Sequence, residues 1–388
     1  MIAGPGRIPW RAWRPRLADA LATYDRRTFA ADLVAGVTVG VVALPLAMAF
    51  GIASGVTPQA GIYTAIVGGF LVSLLGGSRI QIGGPTGAFV VIVAGIITAH
   101  GLPGLLMVTM MAGVLLVLLA VTGLGQAVRF IPRPVVLGFT NGIALLIAST
   151  QIKDFLGLRI ADSPSEFFAR MAVLGTSIDT LNPTAVALAS LSLALILLVP
   201  RWLPRIPGSI VALIVSTAAV ALFDLPVVTI GSAFGGIPSG PPPIHVPALR
   251  ADLILPLLPP ALTVALLSAV ESPLSAVVAD SMTGDRHNSN AELLAQGMAN
   301  LMTPLVGGIP VTGAIARTAT NFRSGARSPV AGIVHALTLL VIVLLLAPRA
   351  TCLCLRWRRY CSWLPTTWVN GARSAASGGS TGLTSRSG

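Results

Sequence analysis

The sequence predicts an all-α, polytopic membrane protein, and three observations carry that prediction. Only 10% of the 388 residues are charged while 54% are hydrophobic; a soluble domain carries roughly 25% charged residues. Apolar runs of spanning length recur from Asp32 to Leu346 with short links between them, as a hydrocarbon core of ~30 Å demands of helices. Arginines crowd into alternate links, the positive-inside pattern. A net charge of +12 would point to nucleic acid in a soluble chain. Here topology accounts for it, and no nucleic-acid partner is expected.

Residues 1–31 read as a cytoplasmic basic segment with an interfacial helix around Leu17–Tyr24. Arg7, Arg11, Arg14, Arg16, Arg26 and Arg27 precede the first span, too long a leader, and without the small-residue exit, for a cleavable signal peptide. Apolar spans follow at 32–51, 58–76, 83–98, 103–123, 134–152, 183–200, 207–224, 252–281, 289–306, 311–324 and 328–347. A Pro/Gly-rich extracytoplasmic loop at 225–251, with Pro238, Pro241, Pro242, Pro243 and Pro247, separates a first half (32–224) from a shorter second half (252–348). The inner links hold Arg79, Arg129, Arg133, Arg201, Arg205, Arg286, Arg323 and Arg327. The outer ones hold His100, an acid-leaning stretch from Lys153 to Asp179 that includes Asp162, and Arg250 with Asp252.

Beyond Pro348 the pattern fails. Arg349, Arg356, Arg358 and Arg359 fall on the outer side, beside Trp357, Trp363, Trp368 and all three cysteines (Cys352, Cys354, Cys361). Residues 349–388 therefore read as an anomalous basic tail, non-native or frameshifted; a genuine basic tail is the other reading. The remaining chain offers no disulfide framework and no metal-ligand spacing. It has no HExxH, phosphate-binding P-loop or CxxC motif either, so neither an enzyme nor a cofactor is expected.

Two spans are too short. The third, at ~16 residues and ~1.5 Å per residue, covers ~24 Å, and the tenth is shorter still. Both start at a glycine-proline break: Gly83–Ala88, GGPTGA, and Gly307–Arg317, GGIPVTGAIAR. Gly-Gly and proline interrupt a helix, and proline is well placed to start one. Each break thus predicts a helix N-terminus inside the membrane, with free N–H groups and roughly half a positive charge. Repeated, Gly/Pro-interrupted spans in the two halves are the mark of a secondary-transporter binding site.

Charges within the spans are few, each costing about 2.5–3.5 kcal/mol at a helix centre. Arg317 just past the second break would be the fixed positive charge of an anion site. Thr86, Gly87 and Ala88 on one side and Gly313, Ala314 and Ile315 on the other would flank it. Glu271, deep in ALLSAVESPLSA, would be the coupling group that takes a proton or cation. The competing reading is a buried Glu271–Arg317 pair that only joins two helices. Ser275, one turn on, faces the same side and would add an oxygen, or bond back to its own helix. Phe50 ends a first span broken at Pro45 and lines the pocket or simply packs. Asp280 and Asp285 read as solvated, His287 as a loop residue and His335 as a helix-packing hydrogen-bond former. Gly36, Gly40, Gly68 and Gly69 read as close helix contacts.

These residues resemble a known family. DLVAGVTVGVVALPLAMAFGIASGVTPQAGIYTAIV with GGSRIQIGGPTGAF is similar to the first three spans of the SulP sulfate permeases. ESPLSAVVADSMTGDRHNSNAELLAQGMANLMTPLVGGIPVTGAIARTATN resembles their eighth to tenth. The resemblance implies a seven-plus-seven inverted-repeat transporter fold with core and gate domains, usually dimeric and followed by a STAS domain. Here 32–224 would be the first repeat and 252–348 a partial second, spans twelve to fourteen and the STAS domain being absent. It implies an anion site at Phe50, Thr86, Gly87, Ala88, Gly313, Ala314, Ile315, Ala316 and Arg317. Glu271 and Ser275 would then handle the coupling ion, a proton or sodium. Two departures stand out: Pro45-Leu46 where the family often has Pro-Gln, and Ala316 where a serine is frequent.

The expected protein is a secondary transporter of sulfate, bicarbonate or a dicarboxylate in the bacterial inner membrane, with a cytoplasmic N-terminus. It would be a homodimer if intact. A nucleobase permease of related fold and a non-transporting truncated remnant are the alternatives.

Overall fold

The computed structural model describes residues 13–123, 133–160, 164, 166–203, 208–223, 225–227, 241–247 and 250–345. Arg7, Arg11, Arg129, Asp162, Arg205, Pro238 and the tail at 349–388 lie outside the described residues.

The described chain is almost entirely helical, and every expected span finds a helical counterpart. After the short α1 (Arg16–Leu21) come α2 (Arg26–Ala53), α3 (Pro58–Leu75), α4 (Gly87–Val121) and α5 (Arg133–Leu156). Next are α6 (Phe167–Thr176), α7 (Pro183–Trp202), α8 (Gly208–Phe223) and α9 (Ile254–Thr283). The chain closes with α10 (Ser289–Met302), α11 (Ile315–Arg323) and α12 (Val330–Leu345). The third and fourth spans form one assigned element, α4, turned at Gly101, whose φ of 67° suits a residue without Cβ. Helix α2 continues through Pro45 to Ala53, so the break expected there is absent. The acid-leaning stretch expected as a loop contains α6.

Small residues set the helix contacts, as lipid-embedded packing requires. A Cβ on Gly113 of α4 would lie 2.9 Å from Gly297 O of α10, and one on Gly297 2.9 Å from Gly113 O. Helix α2 meets α12 at Gly36, 2.5 Å in the same sense from Ala331 O, and at Gly40, 2.8 Å from Thr338 Cβ. Gly68 faces Val311 and Gly69 faces Gly83 O. One apolar cluster joins α4, α9 and α10 around Phe89, Leu105, Leu116, Leu257 and Leu293; another joins α2, α3 and α12 around Met48, Ile62 and Leu339. Helices α7 and α8 meet through Ser192 Oγ and Ser216 Oγ, 2.7 Å apart.

The arginine-rich end is tied by polar bonds. Asp32 accepts from the backbone N–H groups of Arg327 (2.7 Å) and Ser328 (3.1 Å) and from Ser328 Oγ (2.5 Å), fastening α2 to the entry of α12. Trp13 Nε1 donates to Ala120 O and Arg16 N to Gly76 O. Arg16 and Arg79 both pair with Asp285. Asp285 is thus held by partners rather than by solvent alone, which corrects the solvated reading.

The two breaks do more than start helices. Residues Gly83–Gly84 (β1) and Thr312–Gly313 (β2) form a small antiparallel pair, Gly83 opposite Gly313 and Gly84 opposite Thr312. Ala314 N extends it by bonding Ile82 O at 2.8 Å. Side chains satisfy the rest of the broken backbone. Thr64, in a π-turn of α3 over Thr64–Gly68, accepts from Ile309 N at 2.8 Å. Asn300 of α10 serves both backbone groups of Val311, at 2.9 and 2.8 Å. Thr318 Oγ1 accepts from Ile82 N and Asn321 Nδ2 donates to Ile80 O.

Asn300→Ala should therefore orphan two buried groups of Val311, at about 1–3 kcal/mol each. Its melting midpoint in detergent should fall well below that of the wild type. An unchanged midpoint would show that Val311 does not depend on Asn300.

Candidate functional site

The β1–β2 pair brings two helix starts to one place. Thr86 stands in the N-cap position of α4 and Ala314 in that of α11, and neither caps its helix with a side chain. Alanine has no group to do so, while Thr86 Oγ1 is turned to Glu271 Oε2 at 3.0 Å. The second break reaches the first through Arg317, whose Nη2 donates to Pro85 O. Gly84, at φ 149°, must be glycine: a Cβ there would lie 2.4 Å from Arg317 Nη1.

Glu271 and Arg317 are each 3% exposed. Among the described residues no ion pair within 4.0 Å joins them. They grip neighbouring residues of the first break instead, Thr86 and Pro85. Arg317 keeps Nε and Nη1, and Glu271 keeps Oε1, buried without a hydrogen-bond partner. A buried unpaired polar group costs about 1–3 kcal/mol, and a charged one more. Such atoms in a native structure call for an explanation in strain, water, an ion or a ligand.

Of the other expected residues, Thr86, Gly87, Ala88, Gly313 and Ala314 are buried around this point. Ile315 is half-buried, and Ala316 is exposed. Phe50 is buried with Leu46 and Val90, its ring edge 3.3 Å from where a Gly87 Cβ would be. Ser275 bonds neither Glu271 nor its own helix; its hydroxyl lies 3.3 Å from Thr318 Oγ1. His335 is fully buried, and neither ring nitrogen has a partner, so the expected packing hydrogen bond is absent.

Several residues of the neighbourhood escape sequence reasoning. Ile147 of α5 places Cδ1 2.3 Å from a would-be Gly87 Cβ, closing the site from a distant helix. Glu292 is another wholly buried carboxylate, accepting from Gly77 N (3.1 Å), Ser272 Oγ (3.1 Å) and Gln296 Nε2 (3.0 Å). In the sequence it looks like an ordinary first-turn acid behind the Asn288 cap. Its one visible signal is its place among Ala291, Leu293 and Ala295 on a span.

Two half-helix starts thus meet around a buried arginine inside an all-α multi-pass bundle. The chain belongs to the sulfate permease family, which it matches over residues 29–353. It is 48% identical over 337 residues to YvdB of Bacillus subtilis, a candidate sulfate transporter, covering 87% of this chain and 64% of that one. It is 34% identical to the bicarbonate transporter BicA of Picosynechococcus sp., over 82% of this chain and 58% of that one. The chain thus spans less than two thirds of the length of these curated relatives, whose names are those of transporters and not of enzymes. Among solved structures, the transmembrane domain of a cyanobacterial BicA superposes with a TM-score of 0.80 at 31% identity, covering 93% of both chains. SLC26A9 shares the fold at 0.80 with 18% identity, over 93% of this chain and 60% of that one.

At the arginine-rich end, His287 links α9 to α10. Its Nδ1 meets Asp280 Oδ2 at 2.7 Å and its Nε2 meets Ser289 Oγ at 3.0 Å. Burial alone would lower its pKa, but the hydrogen bond and charge of Asp280, with Glu292 adding, raise it above the ordinary 6.5. A folded pKa above the unfolded one contributes stability fully below the unfolded value and loses it as pH rises through the folded one. The stability gap between wild type and His287→Gln should thus be larger at about pH 5.5 than at about pH 8.5. Melting curves of both proteins across that range check it, and a gap that widens with pH would contradict the assignment.

Proposed function

We propose that this chain is the membrane part of a secondary anion transporter, and that the anion binds where the starts of α4 and α11 face Arg317. One observation carries the reading. Arg317 is buried at the junction of the two breaks with Nε and Nη1 unpartnered. Those N–H groups need acceptors, and the uncapped first turns of α4 and α11 bring more donors and the positive ends of two helix dipoles. An oxyanion supplies several acceptors and one or two negative charges at once. Sulfate, bicarbonate and small dicarboxylates fit that chemistry, and family relatives named for sulfate and bicarbonate support it. Phe50 and Ile147 form the apolar wall that keeps water from the site.

Glu271 is the coupling residue. Thr86, next to the helix start, holds one oxygen of its carboxyl and leaves Oε1 free for a proton or a cation. Because Thr86 also begins α4, a change at Glu271 is felt at the anion-binding turn. Ser275 with Thr318 offers hydroxyl oxygens one turn away. By resemblance to the family, residues 32–224 are the first repeat and 252–348 a part of the second, the core carries the site past the gate, and the working unit is a dimer. The arginine distribution supports a cytoplasmic N-terminus in an inner membrane.

The test is uptake of radiolabelled sulfate and bicarbonate into proteoliposomes under an imposed pH gradient. Arg317→Ala removes charge-assisted bonds worth about 1.5–3 kcal/mol, so affinity should fall roughly ten- to a hundredfold. Glu271→Gln should keep anion binding and lose the dependence of uptake on the gradient. Wild-type affinity in the first variant would refute the site, and unchanged gradient dependence in the second would refute the coupling role.

A further inference from the structure

The segment between α3 and β1 carries a glutamine that neither motif nor charge singles out. Gln81 is 4% exposed, and its carboxamide lies between α9 and β2. Its Nε2 donates to Ser272 O at 3.3 Å and to Ser272 Oγ at 3.1 Å, beside Glu271 in sequence. The same nitrogen occupies the place of a side chain on β2: an ideal Cβ at Gly313 would lie 1.8 Å from it. Ser275 Cβ stands 3.1 Å from that point on the α9 side. Ser272 in turn donates to the buried Glu292 carboxylate at 3.1 Å, which also accepts from Gly77 N. One continuous contact path thus runs from α10 through α9 and Gln81 to Gly313, the last residue of β2 before α11.

We propose that Gln81 is a positioning residue of the anion site: its wedged amide sets the spacing between α9, which carries Glu271, and the start of α11, which carries Arg317. The inference rests on the anion-site reading above. It fits a glycine at 313, where φ is not in the left-handed region and a Cβ would displace the Gln81 amide and crowd Ser275 Cβ. The backbone of residues 80–82 is bonded to Ala314, Thr318 and Asn321 on the other side. Without the amide, the α11 start would stay attached to the linker, and to α9 through the Ser275–Thr318 hydroxyl contact at 3.3 Å, but would lose the wedge that holds Gly313 away from α9. The consequence falls on anion affinity, because the N–H groups and Arg317 would no longer converge at one separation from Glu271.

Four variants, Gln81→Ala, Gln81→Met, Gly313→Ala and Gln81→Ala with Gly313→Ala, separate this role from general destabilisation. The readout is KM and Vmax for radiolabelled sulfate and bicarbonate in proteoliposomes, on protein that remains monodisperse in detergent. Gln81→Ala should raise KM about tenfold with Vmax changed far less, a typical coupling for contacting residues. Gln81→Met keeps the volume without the donor and should raise KM by a smaller factor. Gly313→Ala should be impaired alone and partly rescued by Gln81→Ala, which vacates the space its methyl needs. Unchanged KM in Gln81→Ala, or additive losses in the double variant, would overturn the inference while leaving the anion site standing. A wild type that neither binds nor transports either anion would overturn the site reading, and this inference with it.

Discussion

Within a bilayer every backbone N–H and C=O must find a partner inside the protein, and the two glycine-proline breaks expose several such groups at buried depth. The structure meets that constraint by making the breaks satisfy one another. Gly83–Gly84 pairs with Thr312–Gly313, Asn300 closes both groups of Val311, and Thr64 takes Ile309 N. Once the strands pair, the two helices that follow must start side by side. The site's position is therefore a consequence of backbone accounting, with the charged side chains arranged around it.

Those charges are spread rather than neutralised directly. Glu271 engages Thr86 and Arg317 engages Pro85, so adjacent residues of one break separate the two. A direct bridge would spend both groups on each other. Kept apart, each retains an unpartnered atom. Glu292 shows the contrasting design: three donors saturate it, which suits a fixed brace.

Much of this was legible in the sequence because the signals are local. Glycine-proline breaks, apolar run length and a lone arginine beside a break are readable without knowing any contact. Gly36, Gly40, Gly68 and Gly69 read as close packing and are found so. The β1–β2 pair was not legible, since two dipeptides far apart in the chain carry no strand pattern. Gln81 and Glu292 look like ordinary polar residues until α9 is laid beside them. Pro45 misled for the opposite reason: a proline signal usually breaks a helix, yet α2 runs through it to Ala53. His335 reads as a hydrogen-bonding side chain and is buried with both nitrogens unpaired, a placement set by α2, α3 and α12 together.

The proposed anion position lies between the starts of α4 and α11, against Arg317. Its most direct test is a structure of the purified chain in lipid nanodiscs with selenate, a heavier analogue of sulfate whose scattering marks its position. Density is expected within hydrogen-bonding reach of Arg317 and of the first-turn N–H groups of both helices. Selenate bound only elsewhere, with the Arg317 guanidinium unchanged and without a new partner, would contradict it.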